Sequence, residues 1–118
     1  MHILVVDDDK SIIELLNLVL PIHGHSVISR SSSKEAIEAF MAEPFGMVLS
    51  DINMPEMDGN ELVRFIKATS SQNLPVVAIT GNVEMASPLF DRVISKPIYT
   101  KELIEAINTF GEPLRQAC

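Results

Sequence analysis

Five short apolar runs, each followed at once by a polar residue, alternate along this chain with stretches patterned for helix. The runs are His2–Val6, His25–Ser29, Met47–Ser50, Pro75–Ile79 and Arg92–Ser95. Apolar runs this short, bounded by turn formers, read as strands, and the most apolar of them as strands buried on both faces. Between the first two, apolar residues at positions 12, 13, 15, 16, 19 and 20 form a helical stripe over Ser11–Leu20, which Pro21 and Gly24 are expected to close. Ser32-Ser33-Lys34-Glu35 is a capping box for a helix through Met41, with Ala36, Ile37, Ala39 and Phe40 on its buried side. Pro44-Phe45-Gly46 turns the chain into the third run. Asp58 and Glu61 have capping-box spacing before a helix over Glu61–Ala68, and the polar run Thr69–Asn73 is a loop. Thr100 is expected to cap a last helix reaching about Phe110, stopped by Gly111 and Pro113. Only Asn82–Phe90 lacks a clean pattern, with one or two helical turns expected there and an interruption near Pro88. Strands alternating with helices imply an α/β fold with a parallel sheet covered on both faces. Periodicity leaves the strand order open, but either common doubly wound order sets the carboxyl ends of the strands along one edge.

Length and charge narrow the function classes. At 118 residues the chain is expected to be one domain, 1–118. Its longest unbroken apolar runs are four residues, far short of a membrane span, and three aspartates follow the first run where a leader peptide would continue. Neither a membrane partner nor export is expected, and the location expected is cytoplasmic. The single cysteine, Cys118, allows no disulfide within the chain and no zinc cluster, and reads as a frayed terminal thiol. A net charge of −7 argues against direct nucleic-acid binding and favours cationic partners or a bound metal ion.

The chemistry gathers at the strand ends. Asp7-Asp8-Asp9, Asp51, Thr80 and Lys96 close the first, third, fourth and fifth runs, so a doubly wound sheet would bring them to one edge. Clustered carboxylates resist ionising together. A hard divalent cation resolves the conflict, and an all-oxygen donor set selects magnesium, which keeps waters and leaves room for a phosphoryl group. Phosphoryl transfer needs a nucleophile, a metal, and a cation with hydrogen-bond donors on the phosphoryl oxygens. Asp51 can attack phosphorus, Lys96 supplies the cation and Thr80 a hydroxyl. Pro97 after Lys96 predicts a cis bond that aims the lysine.

Four segments, Leu4-Val5-Val6-Asp7-Asp8-Asp9, Ser50 through Gly59, Ile79-Thr80-Gly81 and Ser95-Lys96-Pro97-Ile98, together resemble the receiver domain of two-component response regulators over nearly the whole chain. The resemblance implies a flavodoxin-like sheet of order 2-1-3-4-5. It implies that Asp51 takes phosphate from a histidine kinase or a histidine phosphotransfer protein. Asp8 and Asp51 would ligate Mg2+ with the backbone carbonyl of Asn53, and Asp7 would act near the metal through water. Asp9 would cap the first helix. Such a domain is a signalling switch or relay rather than an enzyme, acting through a downstream protein or a fused output domain.

Two features depart from the family pattern. Thr80 and Lys96 are 16 positions apart, roughly two helical turns fewer than usual, so the fourth helix is expected to be short or irregular. Val93 stands where receivers carry a switching aromatic, and Tyr99, beyond Lys96-Pro97, does not replace it. Gly81 is small, as access to a phosphoryl group requires, while Asn53 and Asn82 lie near the path of a hydrolytic water. Two other readings stand beside the leading one. A haloacid-dehalogenase-type phosphatase would use Asp7-x-Asp9 as its opening motif, although Ser11 replaces the expected Thr or Val and no second acidic pair follows Lys96. A degenerate receiver would bind partners without phosphate. The residues also have blander roles open to them: Asp7–Asp9 as helix-capping charge, Lys96 as a solvated lysine and Thr80 as a local backbone bond. The scattered histidines read as surface or turn residues, and Met54 and Met57 as packing.

Overall fold

A computed structural model describes residues 1–70 and 73–116, with side chains up to residue 110. The elements are β1 (His2–Val6), α1 (Lys10–Ile22), β2 (Ser26–Arg30), α2 (Ser33–Ala42), β3 (Met47–Ser50), α3 (Gly59–Thr69), β4 (Val76–Thr80), a 3-10 turn (Val83–Met85), β5 (Arg92–Ser95) and α4 (Thr100–Gln116). All strand pairs are parallel and the order is β2-β1-β3-β4-β5, the flavodoxin-like order expected.

The inner strands are apolar along nearly their whole length because each of their faces is covered, with Ser50 and Thr80 as buried polar ends. Leu4, Val6, Val48, Val76 and Ala78 meet Ala36 and Ala39 of α2 and Leu62, Val63 and Ile66 of α3. The alternate residues Ile3, Val5, Met47, Leu49, Val77, Ile79 and Ile94 meet Leu16 and Leu20 of α1 and Leu103, Ala106 and Ile107 of α4. Burying each large side chain contributes about 1.5–3 kcal/mol, so these two layers hold the sheet and hence its carboxyl edge. Edge strand β2 pairs only with β1 and is half-exposed, which explains its more polar sequence.

The expected caps form. Asp9 accepts from the Ser11 N–H, Ser32 from the Glu35 N–H and Asp58 from the Glu61 N–H. Since Asp58 is itself the cap, α3 begins at Gly59, two residues before the expected start. Two helices outrun their breakers. α1 passes through Pro21 to Ile22, and the chain then turns with the His23 N–H on the Leu20 carbonyl and Gly24 at φ 87°. α4 passes Gly111 and Pro113 to Gln116. A glycine costs a helix about 1 kcal/mol and a proline about 3 kcal/mol, less than the upstream anchoring by Leu103, Ala106 and Ile107 supplies. Thr100 is the first residue of α4 rather than its cap, and the Tyr99 carbonyl accepts from the Leu103 N–H at 3.1 Å.

The fourth-helix region is reduced to the single 3-10 turn. Asn60 of α3 donates from Nδ2 to the Met85 carbonyl at 2.9 Å and accepts from the Ser87 N–H at 2.8 Å. Farther on, the Asp91 N–H donates to the Val76 carbonyl at 2.8 Å, and the Asp91 carboxylate accepts from the Val76 N–H and from Lys67. At the amino end of β1 the partly exposed His2 stacks on Phe45 and contacts Ser26 and Glu43. Among the described residues no helix is long and apolar enough to cross a membrane. Ser71 and Gln72 of the expected loop, and Cys118, lie outside the described residues.

Candidate functional site

The parallel ladder sets the positions of the site residues. The Asp51 N–H donates to the Val6 carbonyl at 2.9 Å, which fixes the end of β3 against the end of β1. The Lys96 N–H donates to the Thr80 carbonyl at 2.9 Å, and the Asp7 N–H to the Arg30 carbonyl at 3.1 Å. Asp7, Asp51, Thr80 and Lys96 therefore share the carboxyl edge of the sheet, as expected from the sequence.

Asp7, Asp51 and Thr80 are buried, at 2%, 6% and 0% exposure. Lys96 Nζ lies between the two carboxylates, 3.2 Å from Asp7 Oδ2 and 3.1 Å from Asp51 Oδ2. The remaining oxygens are held by backbone donors: Asp7 Oδ1 accepts from the Asp9 N–H at 2.9 Å and Asp51 Oδ1 from the Ile52 N–H at 2.7 Å. Thr80 Oγ1 accepts from the Asn82 N–H at 3.0 Å. Lys96-Pro97 is cis, as expected. Asn53 lies two residues beyond Asp51 and is exposed.

Burial pushes the Asp7 carboxyl above the usual carboxylate range, more than the Asp9 N–H and the Lys96 charge pull it down. For Lys96 burial works against the cation, but the hydrogen bond it donates to Asp51 and the charges of Asp7 and Asp51 outweigh it, and its pKa is raised. The Ser11 hydroxyl and N–H hold Asp9 below the usual range.

Asp7, Asp8 and Asp51 each offer one oxygen, and these three atoms lie within 4.8 Å of one another. Three carboxylates, two of them paired with the one lysine, form an under-neutralised, all-oxygen donor set. The set fits a hard divalent cation of the magnesium or calcium type. Asp9 stands outside it, exposed and turned to the α1 cap.

The loop behind Asp51 leaves no space at one point. The Gly59 N–H donates to the Ile52 carbonyl at 2.8 Å, and a Cβ there would sit 2.0 Å from the Asp51 carbonyl oxygen. A side chain at Gly59 would displace the backbone that aims Asp51. By contrast a Cβ at Gly81 would meet nothing within 4 Å, in keeping with open access beside Thr80.

Residues 3–108 match the family model described as "Response regulator receiver domain". The chain belongs to the response regulator receiver family. This receiver is 35% identical over 114 residues to the response regulator receiver protein CpdR of Brucella abortus, covering 91% of this chain and 93% of that protein. It is 37% identical over 79 residues to the response regulator protein FleR of Pseudomonas aeruginosa, covering 67% of this chain and 16% of FleR. With the transcriptional regulatory protein GlrR of Escherichia coli it shares 32% identity over 113 residues, 91% of this chain and 25% of GlrR. The receiver thus spans most of CpdR but a quarter or less of the other two. Its structure is similar to that of TrrA from Thermotoga maritima in complex with Mg2+ and BeF, with a TM-score of 0.84, 26% identity, and 92% and 97% of the two chains covered. It is also similar to the chemotaxis response regulator CheY4 of Vibrio cholerae, with a TM-score of 0.83, 25% identity, and 92% and 97% covered.

Family membership gives the haloacid dehalogenase reading no remaining ground, since the supposed second motif aspartate is the α1 cap. In this receiver Val93 is half-buried beside the cluster containing Phe90 and Ala86, and Tyr99 is 65% exposed. Two supports of the site were not singled out from sequence. Gly59 reads as an ordinary turn glycine until its contact with Asp51 is seen, and Asn60 carries no sequence signal because its partners lie more than twenty residues away.

Proposed function

We propose that Asp51 accepts a phosphoryl group from a phosphohistidine of a sensor histidine kinase or histidine phosphotransfer protein, and that the modified domain presents a changed surface to a downstream protein or fused output domain. The observation that carries this reading is the Lys96 ammonium lying between the buried carboxylates of Asp7 and Asp51, with Asp8 alongside. The similarity to TrrA, whose structure holds Mg2+ and BeF, supports it.

In the transfer, a carboxylate oxygen of Asp51 bonds to phosphorus as the bond from phosphorus to the donor imidazole nitrogen breaks. The electron pair returns to the imidazole, which takes up a proton, and Asp51 becomes an acyl phosphate. The Ile52 N–H holds the plane of the Asp51 carboxylate for attack. Lys96 places a cation where negative charge gathers on the phosphoryl oxygens. Thr80 accepts from Asn82 through its oxygen, which leaves the hydroxyl hydrogen to be directed towards the phosphoryl group. Asp8 and Asp51, with the Asn53 carbonyl and Asp7 acting through water, would hold a magnesium ion, which when bound neutralises charge on the carboxylates and the phosphoryl oxygens. The chain is read as one signalling unit over 1–118, cytoplasmic and without direct nucleic-acid or membrane contact, and without catalysis beyond its own phosphorylation and dephosphorylation.

Intact mass after incubation with acetyl phosphate tests the reading, with and without magnesium, on wild type and Asp51→Ala. Wild type alone is expected to gain one phosphoryl group, and only with magnesium. Equal labelling of Asp51→Ala would overturn the assignment. Equal binding of a captured partner by wild type and Asp51→Ala would instead favour the phosphate-independent receiver.

A further inference from the structure

In place of a fourth helix the segment after Thr80 keeps one turn, closed by the Met85 N–H on the Asn82 carbonyl at 3.0 Å and the Ala86 N–H on the Val83 carbonyl at 3.1 Å, and side chains pin it at two points. At its start the Asn82 N–H donates to Thr80 Oγ1 at 3.0 Å. Farther along, the Asn60 amide engages two backbone groups, donating to the Met85 carbonyl at 2.9 Å and accepting from the Ser87 N–H at 2.8 Å. Only one orientation of the amide satisfies both partners, so oxygen and nitrogen are assigned by the bonds themselves. Asn60 is also the residue after Gly59, which is seated on the backbone of Asp51 and Ile52 without room for a Cβ. Both pins therefore belong to the supports of the acid site, one through Thr80 and one through the Asp51 loop. Between and just beyond them Val83, Met85 and Leu89 are exposed, at 44%, 58% and 43%.

We propose that Asn60 is a positioning residue that ties the 83–87 segment to the Asp51 loop and so converts a change at the Thr80 hydroxyl into movement of the exposed Val83 and Met85 side chains. The inference rests on the reading above, in which Thr80 turns towards a phosphoryl group on Asp51. When the hydroxyl turns, the pin at Asn82 loosens while the pin at Asn60 holds. The segment then pivots about a fixed point instead of unravelling. Without Asn60 the same event at Thr80 would leave the turn held only by its own two backbone bonds, with nothing to anchor it to the Asp51 loop, and its side chains would take no defined second position.

Amide NMR and amide hydrogen exchange on wild type, Asn60→Ala and Asn60→Asp test this, each with and without beryllofluoride and magnesium as a phosphoryl mimic. In wild type the mimic is expected to shift the amides at Ile52, Gly81 and Asn82 and also those from Val83 to Ser87. Asn60→Ala should keep the shifts at Ile52, Gly81 and Asn82 and lose the defined shifts over 83–87. Its Ser87 amide should exchange about tenfold faster before any addition, the scale expected on losing two hydrogen bonds in a locally opening segment. Asn60→Asp keeps the acceptor for Ser87 and loses the donor to Met85, so it should fall between. Full-sized shifts over 83–87 in Asn60→Ala, or unchanged exchange at Ser87, would overturn the proposal. No shift at Ile52, Gly81 or Asn82 in wild type would overturn the receiver chemistry, and the coupling with it. The exchange rate at Ser87 would still report separately on the Asn60 pin.

Discussion

At two positions of the acid site the folded chain holds its proton more tightly than the unfolded chain does. Asp7 is raised above its ordinary value of 3.8, chiefly by burial, so its contribution to stability is complete below that value and is lost as pH rises through its folded pKa. Lys96 is raised above 10.5 because Asp51 and Asp7 outweigh its burial, so its contribution is complete below 10.5 and is lost as pH rises through its folded value. Asp9 runs the opposite way: its pKa is lowered, and its contribution is lost as pH falls below 3.8. In chelator, Asp7→Asn should therefore be more stable than wild type at neutral pH, and the difference should close on acidification as Asp7 takes up its proton. Thermal melts of the two proteins across acid and neutral pH read this directly, and parallel profiles would contradict it. Glycines give a second contrast. Gly59→Ala should cost about 1–3 kcal/mol or more in denaturant unfolding, because its Cβ would meet the Asp51 carbonyl, whereas Gly81→Ala should stay within about 0.5 kcal/mol. Equal losses at both sites would show that the backbone behind Asp51 yields freely. The acidic residues were legible in the sequence because a strand end is a local property, marked where an apolar run stops. The contact at Gly59 was not, because it depends on how the loop returns to β3.

Elements were legible where pattern and punctuation agreed. The side-chain caps at Ser32 and Asp58 followed from short-range spacing and the one at Asp9 from the family resemblance, and three strands, those ending at Val6, Ser50 and Ser95, stop where their apolar runs do. Helix ends failed where packing overrode a breaker, as α1 at Pro21 and α4 at Gly111 and Pro113 both show. The region after β4 could be read as irregular, but the groups holding it could not, since Asn60 and Asp91 act across the fold. Asp91 offers a test at this scale. Its carboxylate satisfies the N–H of fully buried Val76 and also pairs with Lys67, so Asp91→Ala leaves a donor unmet at the start of β4. We expect a loss of about 1–3 kcal/mol in unfolding free energy. Lys67→Met keeps the Val76 bond but removes both the partly exposed ion pair and the 2.9 Å bond from Nζ to the Leu74 carbonyl, and should still cost less than Asp91→Ala. The reverse ranking would mean that the Lys67 contacts, not the Val76 backbone bond, anchor the segment.

For the whole molecule, a ligand that binds only the folded state adds stability as RT ln(1 + L/Kd), with L its free concentration, which keeps growing with the logarithm of L after the site is full. A magnesium titration should raise the melting temperature of wild type, reaching about 2.7 kcal/mol when the ion stands near a hundredfold above its Kd. Asp8→Ala should abolish most of that gain while melting near wild type in chelator, since Asp8 is exposed and belongs to the three-carboxylate cluster. A full magnesium response in Asp8→Ala would remove it from the ligand set. The 81–91 segment carries a different consequence. Its ends are fixed by main-chain bonds, Lys96 to Thr80 and Asp91 to Val76, while what lies between has shrunk to one turn and a clamp. The acid site and this connection are thus written in separate parts of the chain. A lineage built on this scaffold can recut the residues between Thr80 and Asp91 while the strand ends that carry the carboxylates and the lysine stay as they were.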